Sequence, residues 1–113
     1  KMYQNADIFV APARATRTYQ EQFCTALLEA QASGLPIVTT CSGGIPENVE
    51  DAALVANPGD FYSISAALKK FILSPRLRDY YSTKARKHAV EKFDISIGAR
   101  KTEKIYENVL RQK

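Results

Sequence analysis

Three short apolar runs mark the first half of the chain. They read DIFVA at residues 7–11, PIVTT at 36–40 and ALVA at 53–56. Short, continuous apolar runs rich in β-branched residues are typical of strands that are buried on both faces of a parallel sheet. The pattern therefore predicts about three parallel strands.

Helical spacing appears between the first two runs, after a polar loop at residues 13–20. Apolar side chains recur there at i, i+3, i+4 and i+7, which predicts one buried face of a helix over about residues 23–33. Gly34 and Pro36 end this helix, and IPENVE at 45–50 predicts a short second one. The positions of the predicted buried face are Phe23, Ala26, Leu27 and Ala30.

The last third of the chain is predicted to be helical. Helices are expected over residues 61–73, from 75 to about 92, and from 94 onward, with Asp60, Ser74 and Asp94 as caps. Two apolar stripes should face the core, formed by Ile64, Leu68, Phe71 and Ile72 in the first of these helices and by Ile105, Tyr106, Val109 and Leu110 in the last.

Strands that alternate with helices over short links indicate an α/β fold with right-handed crossovers. Ligands of such folds bind at the carboxyl ends of the strands. The loop that carries Glu21 follows the first strand, and the Gly43–Gly44 turn follows the second. Both are therefore expected to open onto the same edge of the sheet.

The length of 113 residues is that of one domain, and 45% hydrophobic with 25% charged residues is ordinary for a globular protein. No apolar run is long enough to span a membrane, and no signal peptide is visible. The chain begins at Lys1, which we interpret as a piece of a longer protein. Cys24 and Cys41 show neither zinc-site nor disulfide-framework spacing, so reduced thiols in a cytoplasmic protein are expected.

Charge is unevenly distributed. Residues 1–68 hold three basic and seven acidic side chains, whereas residues 69–113 hold thirteen basic and five acidic ones. A basic tail can bind nucleic acid or an anionic membrane. Here the basic residues alternate with Glu and with apolar helical positions, which favours solvated helix faces. We expect no nucleic-acid partner, since interleaved aromatics are missing, and leave peripheral membrane contact open.

Two carboxylates, Glu21 and Glu29, frame the start of the predicted helix. If both were helical, eight residues would separate them by ~12 Å along the axis, too far for the ~5–9.5 Å of a glycosidase pair. The spacing suits two contacts on one long ligand. Free N–H groups from Cys24 to Ala26 would favour a phosphate between them, as in a nucleotide-sugar. Solvent-facing helix charges could have the same spacing.

The wider context resembles a known family. NADIFVAP, then EQFCTALLEAQASGLPIVTTCSGGIPENVED, then ALVANPGD are similar, over residues 5–60, to the C-terminal domain of the retaining GT-B glycosyltransferases with an E-x(7)-E motif. The resemblance implies that residues 1–113 are the later half of that nucleotide-sugar-binding domain. The expected fold is then a partial Rossmann-like parallel sheet of about three strands, flanked by helices, with a helical C-terminal third.

The resemblance also implies roles for individual residues. Glu21, the catalytic-site residue, contacts the hydroxyls of the donor sugar, and Glu29 binds the ribose. No cofactor and no metal site are implied, because the nucleotide-sugar is a substrate. The remaining donor-binding positions are Phe23, Cys24, Thr25, Ala26, Gly43 and Gly44. Glu47 matches a recurrent acid of the family whose role the spacing does not assign.

Cys24 departs from the family, which usually has glycine there, and is interpreted as a small inert substitute or as a reactive thiol at a helix start. His88 lies among Lys and Arg on a helix and is predicted to be a surface residue. Arg14 and Arg17 are free loop charges or phosphate contacts.

The family's first domain and the early strands of its second have no counterpart in this chain. The strand at 7–11 should then lack a neighbour on one side, so a homodimer through it, or pairing with the missing N-terminal part of the enzyme, is predicted. The functional alternatives are a non-catalytic nucleotide- or phosphosugar-binding or folding fragment, and a sugar-nucleotide epimerase domain.

Overall fold

The computed structural model describes residues 1–113 and has the predicted α/β architecture. Three strands, five α-helices and one initial 3-10 turn follow one another along the chain. They are the turn Tyr3–Asn5, β1 (Phe9–Ala11), α1 (Thr25–Ala32), β2 (Ile37–Thr40), α2 (Ile45–Val49), β3 (Leu54–Ala56), α3 (Phe61–Leu73), α4 (Pro75–Phe93) and α5 (Ile95–Arg111).

The sheet has the order β1-β2-β3, and both of its pairings are parallel. All four residues of β2 are buried, as expected of a central strand covered on both faces. β1 is shorter than the predicted strand 7–11, since only three of its residues pair with β2. Its other side faces no strand, as the sequence predicted, and pairing of that side with another chain stays a prediction.

The predicted helix caps are confirmed. The Asp60 carboxylate accepts the N–H groups of the second and third residues of α3 at 3.0 and 3.2 Å. The Ser74 hydroxyl accepts the Leu77 N–H at 3.2 Å, and Asp94 accepts that of Ser96 at 2.9 Å. Each side chain satisfies N–H groups that the first turn of a helix leaves without partners.

The core lies between the sheet and the first two helices. Its cluster of buried side chains comprises Leu27, Ala30, Leu35, Ile37, Ile45, Val49 and Ala53. The predicted face of α1 was half right, because Leu27 and Ala30 are buried whereas Phe23 and Ala26 are exposed. The helix begins only at Thr25, after a left-handed residue, so Phe23 lies outside it.

The apolar stripe of α5 does not face the core, and this prediction was wrong. Its four side chains, those of Ile105, Tyr106, Val109 and Leu110, are between 52% and 69% exposed. α5 packs mainly against α4, and its apolar stripe stays exposed. Ile72 of α3 is likewise exposed, in contrast to Phe71 beside it. None of the helices combines the length and the apolar character that crossing a membrane requires.

Candidate functional site

Two loops meet at the carboxyl edge of the sheet, as the topology predicted. One follows β1 and carries Glu21, and the other is the turn after β2. The N–H of Gly44 donates to the backbone carbonyl of Glu21 at 2.9 Å. The structure thus brings the backbone of Glu21, the first predicted site residue, into direct contact with the glycine pair.

The glycine pair is required by this contact. A Cβ atom on Gly43 would lie 1.9 Å from the carbonyl oxygen of Glu21, and one on Gly44 would lie 1.9 Å from that of Gln22. Gly43 also has a φ of +57°, which disfavours other residues. The two glycines therefore let one loop lie directly against the other, a role in local structure that spacing alone did not indicate.

Glu21 lies in the loop before α1 and not in the helix, so only the second of the two carboxylates is helical. Its side chain is partly buried. Its Oε1 accepts the N–H of Cys24 at 3.1 Å, and its Oε2 accepts the Tyr19 hydroxyl at 3.0 Å. The hydrogen bond to this carboxylate raises the pKa of Tyr19, so the phenol stays protonated and donates.

Cys24 has the backbone angles φ 54° and ψ 77°, in the left-handed region. Glycine enters this region without the steric cost that a Cβ atom brings. The backbone conformation at this position therefore suits glycine, the residue that the family resemblance leads us to expect there. Because the N–H of Cys24 is donated to Glu21, the free N–H groups at the start of α1 are those of Thr25 and Ala26. The predicted range of free groups was one residue too long.

Glu29 lies one turn into α1 and is exposed. The hydroxyl of Tyr3, from the initial 3-10 turn, donates to its Oε2 at 2.7 Å. The pKa of Tyr3 is raised by this hydrogen bond. Each of the two carboxylates thus has a tyrosine hydroxyl as its partner, and neither tyrosine was expected at the site from the sequence.

His88 is buried, so its prediction as a surface residue was wrong. Only 8% of it is exposed, and its Nδ1 lies 2.7 Å from the Oε1 of Gln31 in α1. The Nε2 of Gln31 donates to the Oδ1 of Asn48 in α2 at 2.8 Å. The Nδ2 of Asn48 in turn donates to the backbone carbonyl of Phe23. A buried polar chain therefore runs from α4 to the candidate site.

The aromatic ring of Phe93, at the end of α4, contacts both ends of this polar chain, His88 and Phe23. It packs edge-on against Phe23 with 5.7 Å between ring centroids, and against His88 with 5.5 Å. The helical spacing of Ala85, His88 and Ala89, which are all buried, was the signal available in the sequence. The lysines and arginines that neighbour these residues in α4 favoured the prediction of a surface position instead.

The remaining candidates are less constrained. Glu47 is exposed in the first turn of α2, where its charge suits the helix dipole. Arg14 and Arg17 are exposed loop residues without an ion pair. Cys24 and Cys41 are free thiols. The arrangement as a whole offers two carboxylates that can accept hydroxyl groups and, between them in the sequence, a helix start with two free N–H donors.

Comparison with known proteins places the chain in a class. Residues 1–88 match the family model described as glycosyl transferases group 1. The chain also superposes on sucrose-phosphate synthase from Thermosynechococcus elongatus with a TM-score of 0.84 and 21% identity, over 99% of this chain and 27% of that one. The chain therefore has the fold of a GT-B glycosyltransferase domain and belongs to the glycosyl transferases group 1 family.

Relatives in sequence agree with this assignment. The chain is 30% identical over 112 residues to the capsular polysaccharide biosynthesis glycosyltransferase CapM of Staphylococcus aureus, covering 97% of the chain and 28% of the relative. It is 34% identical over 110 residues to a D-inositol 3-phosphate glycosyltransferase of Corynebacterium jeikeium, covering 96% and 25%. The chain thus spans about a quarter of the length of these relatives.

Proposed function

We propose that residues 1–113 are the donor-binding part of a retaining glycosyltransferase that moves a sugar from a nucleotide-sugar to an acceptor. The observation that carries the proposal is the start of α1, which lies between Glu21 and Glu29 with the N–H groups of Thr25 and Ala26 free. A nucleotide-sugar has hydroxyl groups at both ends and phosphates between them, so it matches this order of acceptors and donors.

The phosphates are assigned to the helix start. Free N–H groups and the positive end of the helix dipole attract anions, and they also stabilise charge that develops on a leaving diphosphate. The residues that form this start are Phe23, Cys24, Thr25 and Ala26. Their backbone carries the interaction, so the proposal does not depend on the Cys24 thiol acting as a nucleophile.

The sugar is assigned to Glu21. Each of its carboxylate oxygens already accepts one hydrogen bond, from Cys24 or from Tyr19. A carboxylate has about four lone-pair sites, so two remain for sugar hydroxyls. The existing bonds hold the carboxylate in one orientation, and Glu21 acts in this proposal by orienting the sugar and not as a general base.

The ribose is assigned to Glu29, and the turn of Gly43 and Gly44 lies near the donor. Glu29 is exposed and has one carboxylate oxygen without a protein partner. Charged hydrogen bonds of this kind contribute about 1.5–3 kcal/mol. We therefore expect Glu29→Ala to weaken donor binding about 10- to 150-fold.

The partners in this proposal are the nucleotide-sugar donor and the remaining, N-terminal part of the enzyme, which supplies the acceptor site. No cofactor is involved, since the donor is a substrate, and no metal ligand is assigned. A cytoplasmic location belongs to the same proposal. Peripheral contact of the basic half with a membrane stays a prediction, and no nucleic-acid partner is expected.

Ligand-observed NMR tests the proposal directly. The chain is titrated with UDP-glucose, GDP-mannose and ADP-glucose, and the titration is repeated with Glu29→Ala. Glu103→Ala, at an exposed glutamate of α5 far along the chain, is the matched control. Saturable binding that Glu29→Ala weakens and Glu103→Ala leaves unchanged supports a donor site and identifies the base. The absence of binding to all three, or equal binding in both variants, contradicts the proposed donor site.

A further inference from the structure

Three buried side chains from three different helices form one hydrogen-bonded chain. They are His88 of α4, Gln31 of α1 and Asn48 of α2, with 8%, 0% and 2% of their surface exposed. Buried polar side chains are costly unless they are hydrogen-bonded. These three are bonded to one another, and the chain ends on backbone atoms of the loop that precedes α1.

The direction of this chain is fixed by chemistry. The carbonyl of Phe23 can only accept, so the amide nitrogen of Asn48 must face it. The Oδ1 of Asn48 then accepts from Gln31 Nε2, which leaves Gln31 Oε1 to accept from His88. The Nδ1 of His88 must therefore carry a proton. One arrangement of donors and acceptors satisfies all three hydrogen bonds that link His88, Gln31, Asn48 and the loop.

Reversal of the chain would break it at the loop. If the Gln31 amide were turned around, Asn48 would have to turn as well, and its Oδ1 would face the Phe23 carbonyl, acceptor against acceptor. The protonated Nδ1 of His88 thus selects the orientation in which Asn48 donates to the loop. The far side of the imidazole, Nε2, lies 3.6 Å from a carboxylate oxygen of Glu50 and has no hydrogen-bond partner.

The loop residues at the other end need such support. Cys24 occupies the left-handed region, which is sterically unfavourable for a residue with a side chain, and such conformations persist where the surroundings stabilise them. Asn48 holds the carbonyl of Phe23 and lies 3.5 Å from that of Cys24. Phe93 holds the ring of Phe23 and itself packs on His88.

We propose that His88, Gln31 and Asn48 are positioning residues, which fix the backbone of Phe23 and Cys24 from the interior. That backbone sets the direction of the free N–H groups of Thr25 and Ala26, and its Cys24 N–H anchors the Glu21 carboxylate. The consequence for donor binding rests on the function proposed above. The effect on the loop does not, because it exists in the free protein.

The test uses three substitutions of similar volume, His88→Phe, Gln31→Met and Asn48→Leu. The control is Ser82→Ala, which removes another side-chain hydrogen bond of α4, to the carbonyl of Gly34 beyond the far end of α1. The first measurement is amide hydrogen exchange at Cys24 and Gly44, relative to amides of β2, in the protein without ligand. The second is the dissociation constant for the nucleotide-sugar that the native chain binds best.

His88→Phe, Gln31→Met and Asn48→Leu should each speed amide exchange at Cys24 about 5- to 20-fold relative to the amides of β2, because each removes about one hydrogen bond. Each should also weaken donor binding by a similar factor. Ser82→Ala should leave the exchange at Cys24 relative to β2 and the dissociation constant of the donor unchanged, although it lowers overall stability. The decisive variant is His88→Phe, which keeps an aromatic ring against Phe93 and does not touch the loop. A role in stability alone would raise exchange everywhere and leave the ratio unaltered.

Unchanged relative exchange at Cys24 in folded His88→Phe and Gln31→Met would overturn the proposal, even if Asn48→Leu fails to fold. If the native protein binds none of UDP-glucose, GDP-mannose and ADP-glucose, the proposed donor-binding function is contradicted, but the proposal that His88, Gln31 and Asn48 position the loop is not. The exchange ratios then still decide whether the buried chain positions the loop.

Discussion

The N–H of Cys24 donates to the carboxylate of Glu21 at 3.1 Å, and Cys24 does so from a left-handed backbone conformation with a φ of 54°. The two observations belong together. A residue in that region turns its N–H back toward the preceding loop, and α1 can begin directly after it. The position of a candidate site carboxylate therefore depends on a conformation that glycine adopts more easily than cysteine.

Replacement of Cys24 tests this dependence. Cys24→Gly removes about 1–2 kcal/mol of steric cost but adds about 0.5–1 kcal/mol of chain entropy in the unfolded state. We expect the free energy of unfolding to stay equal or to rise by up to about 1.5 kcal/mol. Cys24→Val should lower it by about 1–3 kcal/mol, because β-branched residues tolerate positive φ poorly. Urea denaturation measures both.

Cys41→Val is the matched control, since Cys41 is exposed and does not have a positive φ. Its unfolding free energy should change by less than about 0.5 kcal/mol. If Cys24→Val were as stable as Cys41→Val, the left-handed conformation would not be needed for the fold of this loop.

Gly44 and Gly98 provide a second pair with opposite expectations. A Cβ atom at Gly44 would lie 1.9 Å from the carbonyl oxygen of Gln22, whereas one at Gly98 would meet nothing within 4 Å. Gly44→Ala should therefore lower the free energy of unfolding by about 1–3 kcal/mol, and Gly98→Ala in α5 should raise it by about 0.5–1 kcal/mol. Thermal or urea unfolding of the two variants measures these changes. A Gly44→Ala variant with an unchanged free energy of unfolding would contradict the close approach of the two loops.

The sequence predicted those parts of the fold whose causes are local. Asp60, Ser74 and Asp94 were recognised as caps because a cap acts on N–H groups two or three residues away. The strands were recognised from their β-branched runs. The edge of the sheet at which Glu21 and Gly44 meet followed from topology alone.

The parts that were missed depend on residues far apart in the chain. His88 and Gln31 are separated by 57 positions, and each looks like a surface residue among its neighbours. Only their mutual contact makes burial favourable. The start of α1 was misplaced because the left-handed conformation of Cys24 leaves no signal when the residue is not glycine. The stripe of α5 was read correctly as apolar, but a pattern does not show what lies opposite.

The ion pair of Asp51 and Lys84 predicts a pH dependence of stability. Their charged atoms lie 2.7 Å apart and join the end of α2 to α4. The hydrogen bond from Lys84 lowers the pKa of Asp51, and that to Asp51 raises the pKa of Lys84. The stabilisation is thus fully present between the unfolded-state pKa values of about 3.9 and 10.4. It is lost as pH falls through the lowered pKa of Asp51, or rises through the raised pKa of Lys84.

The measurement compares the native chain with Asp51→Asn by urea denaturation from pH 3 to pH 8. The difference in unfolding free energy should be constant from about pH 5 to 8 and should shrink as pH falls below about 4. Asp79→Asn, at an exposed aspartate of α4 without an ion pair, should show no such trend. A difference between native and Asp51→Asn that grew in acid would show that the sign of the linkage is wrong.

Because the apolar stripe of α5 is exposed, we expect polar substitutions in it to leave the stability almost unchanged. The sequence pattern alone would predict a loss of stability. Ile105→Ser and Leu110→Ser should each change the unfolding free energy by less than about 0.5 kcal/mol, as surface substitutions do. Leu27→Ala, in the buried face of α1, should cost about 2–5 kcal/mol. Denaturant titration at low protein concentration measures all three. A loss above about 1 kcal/mol in either serine variant would mean that another surface covers the stripe.

The open side of β1 predicts self-association of the chain, and its geometry supplies a specific test. The N–H of Phe9 donates to the carbonyl of Pro36 on the β2 side at 3.0 Å. Since successive residues of a strand alternate in direction, the N–H of Val10 points to the open side. Val10→Pro therefore removes an outward donor and keeps the pairing with β2.

If the chain dimerises through β1, sedimentation velocity of the native protein should show a concentration-dependent dimer, and Val10→Pro should be monomeric at the same concentrations. Val55→Pro is the control at the opposite edge, because the carbonyl of Ala56 accepts from Cys41 on the β2 side and the N–H of Val55 points away from β2. A native chain that stays monomeric at all concentrations contradicts the prediction. A dimer that Val55→Pro disrupts and Val10→Pro does not would assign the association to β3, where an outward row of N–H and C=O groups is equally without a strand partner.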